Sequence, residues 1–320
     1  VIILITTVTL NPSIDREFFI DEHKAMKDQY IYSEEDLKVY PGGKGLIAAI
    51  NLKNLGYADV QNIGFVGGKQ GLFFEKMVQD FNITTNYIYT SNEMRNNIKI
   101  IASNPPSNTL YNDYTYSVSE RSVEELKKRF RRSIRDSDLI MIAGSIPANV
   151  SFDIYRQLIE ICNELDKDVY LKASGEALNR SLEAKPKFVV PYFKHTHKIL
   201  DVKVEKKEDY IKMGKKLQEN GAQYVIMPFH TGRLLFDKDG SIYKLSPRDY
   251  CIRNLLGAGD AYNAAFFDYI YQNGFDFIEA NRYAAAAALD IAEHKLVFLE
   301  GREEIETSVD NIIIEELEGR

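Results

Sequence analysis

The sequence predicts an α/β protein with a central, mostly parallel sheet flanked by helices, and three observations lead there. Residues 1–10, Val-Ile-Ile-Leu-Ile-Thr-Thr-Val-Thr-Leu, are apolar or β-branched throughout, as suits a strand buried on both faces of a parallel sheet. Beyond them the chain repeats one rhythm of apolar run, polar or glycine turn, and amphipathic helix. Its 320 residues can bury a large core and lie at the upper edge of what one α/β domain holds. We read a single domain over 1–320, with a small β-sheet lid formed by insertions at about 12–40 and 85–117.

Asn11-Pro12 ends the first strand, and a helix is expected over 46–55. The winding then gives a strand at 61–66 with a helix at 72–81, and a strand at 138–143 with a helix at 152–165. A strand at 168–171 leads to a helix at 175–182. The helix at 206–219, closed by Asn220-Gly221, leads to a strand at 223–227. From Ala258 onward the chain reads as helical, and the five alanines at 284–288 permit close helix packing. Two stretches, 16–39 and 87–116, break the rhythm. Within them 96–101 and 110–116 read as strands with many exposed positions, which suggests a small sheet over one edge of the core. No period of 20 to 50 residues recurs.

With 47 acidic against 40 basic residues the formal charge is −7, which argues against non-specific nucleic-acid binding and favours a cytoplasmic protein acting on small ligands. Cys162 and Cys251 have no metal-type spacing, so neither a disulfide framework nor a structural zinc is expected. No segment reaches the roughly 18 apolar residues of a membrane span. The start lacks a basic n-region, so no signal peptide is read.

Several short motifs carry chemistry. Gly257-Ala258-Gly259-Asp260 opens the apolar segment 261–270, and its glycines let backbone N–H groups approach an anion with a carboxylate beside them. Ordinary first-turn capping fits the same four residues. Tyr40-Pro41-Gly42-Gly43-Lys44-Gly45 makes a second anion site, without the spacing of a Walker A loop. The glycines at 64, 67, 68 and 71 have the wrong spacing for a dinucleotide fingerprint and read as turning the backbone. Gly144-Ser145-Ile146-Pro147 sits at the carboxyl end of a strand, where Ser145 can donate to a substrate oxygen; it is not a nucleophile elbow. Arg95 and Lys99 flank the strand at 96–101 and suit a doubly charged phosphate. His195 and His197 lack a third metal ligand nearby, and Arg129, Arg131 and Arg132 most simply solvate a helix end.

Taken in order, Asn11-Pro12-Ser13-Ile14-Asp15, Pro41-Gly42-Gly43-Lys44-Gly45, Arg95-Asn96-Asn97-Ile98-Lys99, Gly144-Ser145-Ile146-Pro147, Ser174-Gly175-Glu176-Ala177-Leu178 and Gly257-Ala258-Gly259-Asp260 resemble the ribokinase/PfkB sugar-kinase family. The resemblance is to the branch that phosphorylates sugar phosphates, 1-phosphofructokinase and tagatose-6-phosphate kinase. It implies a ribokinase-like fold and transfer of the ATP γ-phosphoryl, with Mg2+, to a hydroxyl of a ketohexose phosphate. Asp260 would then be the base, and the N–H groups of Gly257, Ala258, Gly259 and Asp260 the anion hole. Asp15 would hold sugar hydroxyls, and Gly42, Gly43 and Lys44 would line the sugar-phosphate site. Arg95, Asn97, Lys99 and Ser145 would complete that site, Gly232 would join Gly257 and Gly259 on the nucleotide side, and the lid would be a homodimer contact.

The chain departs from that family's pattern mainly on the donor side. Pro191-Tyr192-Phe193-Lys194-His195 stands where the branch has Pro-Asn-x-x-Glu, and Lys172-Ala173 stands where it has Asp-Thr. Met227-Pro228-Phe229 replaces the nucleotide loop Ser-Leu-Gly, Leu255 replaces a Thr, and Ile47 replaces a sugar-side Asn. Such losses weaken the expected hold on ATP–magnesium, which Lys172 or Lys194 would partly offset. The second reading is a catalytically weak sugar-phosphate or nucleotide binding regulator on the same scaffold.

Overall fold

The computed structural model describes residues 3–22, 28, 30, 33–114, 116–192, 199–200, 202, 204–253, 255–294 and 297–319. Its strands are β1 (Leu4–Thr9), β2 (Ser13–Ile20), β3 (Leu37–Gly42), β4 (Asp59–Gly67), β5 (Thr84–Thr90), β6 (Arg95–Ser103), β7 (Pro106–Tyr111), β8 (Leu139–Ala143), β9 (Val169–Ala173), β10 (Phe188–Pro191), β11 (Tyr224–Phe229), β12 (Gly232–Phe236), β13 (Ile242–Pro247) and β14 (Ile312–Glu318). Its helices are α1 (Lys44–Asn54), α2 (Gly68–Asp80), α3 (Glu120–Ser133), α4 (Ile154–Asn163), α5 (Gly175–Ser181), α6 (Lys207–Glu219), α7 (Ala258–Asn273), α8 (Phe277–His294) and α9 (Glu303–Ser308).

The large sheet has the order β14-β13-β12-β11-β10-β9-β8-β1-β4-β5. From β5 to β11 neighbouring strands run parallel, and β12, β13 and β14 add an antiparallel edge. Period-2 alternation splits each central strand between two cores. Ile5, Met141 and Tyr170 join the layer of α1, α2, α7, α8 and α9. Val8, Ile142 and Leu171 join that of α3 to α6. A separate four-stranded sheet, β3-β2-β6-β7, lies beside the large one.

Three sequence expectations need correction. Residues 84–90 are not part of the small sheet: β5 pairs with β4 at the edge of the large sheet, so the second insertion into the small sheet starts at Arg95. Of the described residues in 110–116, only Leu110 and Tyr111 are in a strand, because β7 ends at Tyr111. The Asp113 carboxylate then accepts the Asn96 N–H at 2.9 Å, and the Asn97 side-chain oxygen accepts the Asp113 N–H at 3.2 Å. These bonds hold the chain against the side of β6 instead of extending the ladder. The C-terminal third is not wholly helical either, since β14 pairs with β13. The hairpin β12–β13 went unread in the sequence.

Candidate active site

The pieces meet at the carboxyl ends of the parallel strands, the crevice where open α/β sheets bind ligands. Helix α7 begins there with Gly257, whose φ of 84° is left-handed and whose notional Cβ would sit 2.7 Å from the Val297 carbonyl oxygen. Only glycine fits such a position without strain. The Gly257 carbonyl takes the Asp260 N–H at 2.9 Å, so that group is not free for an anion as the sequence reading expected, and the N–H groups before it in the turn have no i−4 carbonyl of the helix to pair with. Asp260 stands in this first turn, 7% exposed.

Asp260 is not alone. Lys172, near the end of β9 and 6% exposed, donates to Asp260 Oδ1 at 2.9 Å and to the Gly259 carbonyl at 2.7 Å. Burial pushes the Asp260 carboxyl up, but Lys172, Lys44 and Lys99 outweigh it and hold the group below the usual carboxylate range. For Lys172, burial brings the ammonium down to about 8, with Asp260 opposing and Lys44 reinforcing the fall. Lys44, at the start of α1, lies 4.2 Å over the Tyr192 ring.

A second group of residues faces the same space from the small sheet. Asp15 on β2 accepts at Oδ1 from Ser13 Oγ at 2.7 Å and from Asn97 Nδ2 at 2.9 Å, while Lys99 Nζ lies 3.1 Å from Oδ2. Gly42 is needed beside it, because a Cβ there would fall 2.6 Å from the Asp15 carboxyl. Asn11 Nδ2 donates to Ser145 Oγ at 3.1 Å, and Asn11 Oδ1 has no hydrogen-bond partner among the described residues. Arg95 is in the same position at Nε. Burial lowers the Arg95 pKa, with Asp15, Tyr116 and Asp113 opposing. Buried polar atoms without partners are rare in folded chains, and a water, an ion or a ligand in this space would meet these two.

A cavity of about 290 Å³ lies beside the start of α7, lined by His230, Gly232, Pro247, Leu255, Ala258 and Tyr262 among others. Its apolar lining, with Arg233 4.6 Å over the Tyr262 ring, has the character of a slot for a flat ring.

The structure thus brings together Asp15, Gly42, Gly43, Lys44, Arg95, Asn97, Lys99 and Ser145 on one side and Gly257, Ala258, Gly259 and Asp260 on the other, with Gly232 at the cavity. Lys99, however, is not free: it also pairs with Glu17 at 3.1 Å, and the Tyr40 hydroxyl donates to the same Glu17 carboxylate. Sequence reasoning missed Glu17, and it named Tyr40 only as the start of the glycine motif, not as a partner of Glu17; both belong to strands whose neighbours only the sheet register reveals. It marked Lys172 as an unusual cation but not as the partner of Asp260. Lys194, His195, His197, His23 and Asn254 lie outside the described residues.

A family model described as pfkB family carbohydrate kinase matches residues 9–297. The chain belongs to the pfkB family of carbohydrate kinases. This pfkB kinase is 30% identical over 264 residues to the 1-phosphofructokinase of Bacillus subtilis, covering 82% of this chain and 84% of that one. It is 29% identical over 288 residues to the 1-phosphofructokinase of Borreliella burgdorferi, covering 89% and 90%. In structure it matches a possible 1-phosphofructokinase from Thermotoga maritima with a TM-score of 0.92 and 29% identity, covering 98% of this chain and all of the other. The fold of this pfkB sugar kinase is ribokinase-like. Among its described residues no helix is long and apolar enough to cross a membrane.

Proposed function

We propose that this pfkB kinase transfers the γ-phosphoryl of ATP to a hydroxyl of a ketohexose phosphate, with Asp260 as the base and fructose 1-phosphate as the leading acceptor. The observation that carries the reading is the buried Asp260 at a left-handed helix start, with a polar wall in which Asn11 Oδ1 and Arg95 Nε lack partners among the described residues. In the transfer the acceptor O–H gives its proton to Asp260 while its oxygen bonds the γ-phosphorus. The bond from that phosphorus to the β–γ bridging oxygen breaks, and ADP leaves. Asp15 and Asn97 orient the sugar hydroxyls, and Arg95 and Lys44 meet the phosphate already on the sugar. The N–H groups of the first α7 turn face the charge that builds on the moving phosphoryl.

The residues suit a nucleotide. The apolar cavity next to Gly257 accepts a base, and Gly232 lines it. For magnesium the fit is different: among the described residues no three His, Cys, Asp or Glu side chains gather as a metal site. Magnesium would enter the site on the nucleotide phosphates, which supply hard oxygen ligands of their own. The acidic balance and small-molecule site suit the cytoplasm, and the small sheet offers a surface for a homodimer.

Incubating purified protein with ATP, magnesium and, in turn, fructose 1-phosphate, fructose 6-phosphate and tagatose 6-phosphate tests the proposal. Turnover highest with fructose 1-phosphate is the expected result. Preference for tagatose 6-phosphate would move the acceptor, and binding of ATP and a sugar phosphate without any transfer would leave only the regulator on a kinase scaffold.

A further inference from the structure

Lys172 stands at the transfer point and is drawn low in pKa by burial, yet nothing in the proposed reaction uses it. Lys44 and Arg233, both partly exposed, act on it as further cations, and Asp260 opposes them. A phosphoryl entering this space would meet a local excess of positive charge.

The hydrogen bonds agree with this. An ammonium has three donors. Two of Lys172's are used, by the Gly259 carbonyl at 2.7 Å and Asp260 Oδ1 at 2.9 Å, and the third has no acceptor among the described residues. Both used acceptors belong to the first turn of α7, so the ammonium is anchored at the place where that turn presents its N–H groups. A Cβ on Gly259 would lie 3.3 Å from Lys172 Nζ, so side chain and backbone share one small space.

We propose that Lys172 is a catalytic residue that contacts the terminal phosphoryl of the nucleotide, bridging it to Asp260, so that it recognises ATP over ADP. This deepens the kinase reading and rests on the α7 turn being the transfer point. Without nucleotide, Asp260 neutralises Lys172. With nucleotide bound, the ammonium keeps Asp260 ionised and turns its free donor to the phosphoryl oxygens. No bond to Lys172 forms or breaks. Its role is the charge that elsewhere in phosphoryl transfer falls to a cation clamp.

The test separates a phosphate contact from mere neutralisation of Asp260. Calorimetry measures ATP and ADP affinity for wild-type protein, for Asp260→Asn, and for Asp260→Asn combined with Lys172→Met, a pair that leaves no buried charge unpaired. In the Asp260→Asn background, Lys172→Met should weaken ATP by about tenfold or more and leave ADP nearly unchanged. Lys172→Arg in otherwise wild-type protein should keep the ATP preference. Equal small changes for ATP and ADP overturn the proposal, as does wild-type protein that binds no ATP. The kinase reading fails separately, if Asp260→Asn turns over sugar phosphate at the wild-type rate, and the affinity ratio is measured whether or not transfer occurs.

Discussion

At the scale of single residues the site turns on a carboxylate and an ammonium 2.9 Å apart. Replacing Asp260 by Asn removes the proton acceptor and the carboxylate that neutralises Lys172. Steady-state kinetics should show kcat lower by orders of magnitude with the KM for sugar phosphate near its wild-type value, and an unchanged kcat would take Asp260 out of the mechanism. Lys172 adds a pH dependence. The groups that face it are Asp260 from α7, Lys44 from α1 and Arg233 from β12, and together with burial they bring its ammonium down to about 8. Below that pH the charge is present and favours the phosphoryl; as pH rises through it the charge is lost. ATP affinity should therefore fall on the alkaline side of about 8, and in Lys172→Arg the fall should move to higher pH, because a guanidinium stays protonated. These residue types were visible in the sequence, and so was the oddity of Lys172. Their pairing was not, since 88 positions separate the partners and only the packing of β9 against α7 brings them together.

At the scale of elements, turns do most of the positioning. Gly257 holds a φ of 84° with the Val297 carbonyl closing on the space a side chain would need. Gly257→Ala should destabilise the protein by about 1–3 kcal/mol in a denaturant titration, and an unchanged midpoint would show that the turn carries no strain for a Cβ. The parallel units were legible because each couples a short apolar run to a helix of clear periodicity. The strand expected over 110–116 failed for a local reason: the Asp113 carboxylate accepts from the Asn96 N–H and the Asn97 side-chain oxygen accepts from the Asp113 N–H, and these bonds draw the chain off the ladder. Residues 84–90 and the last strand, β14, failed for a non-local one. A strand's sheet is chosen by its partner, and β4 and β13 claim these two.

For the whole molecule, the small sheet's outer face raises the question of assembly. Its register sets Arg16 opposite Val39 and Ile98, and Ile98 opposite Tyr111, so three exposed apolar side chains cross the sheet in one row. A row of that kind suits pairing with a second copy through the small sheet. Light scattering after size-exclusion chromatography should find a dimer, and Ile98→Glu should shift it toward monomer; a monomer in both would leave this face without a partner of its own kind. What the sequence by itself determined was the α/β class and the order of the motifs, because periodicity, glycine turns and short polar clusters are local properties of the chain. Only the tertiary structure decided which strands share a sheet, that Lys99 is held by Asp15 and Glu17, and that Asp260 meets a lysine. Those are contacts across many positions of sequence, and burial, which sets the strength of every charge in the site, exists only once the layers have packed.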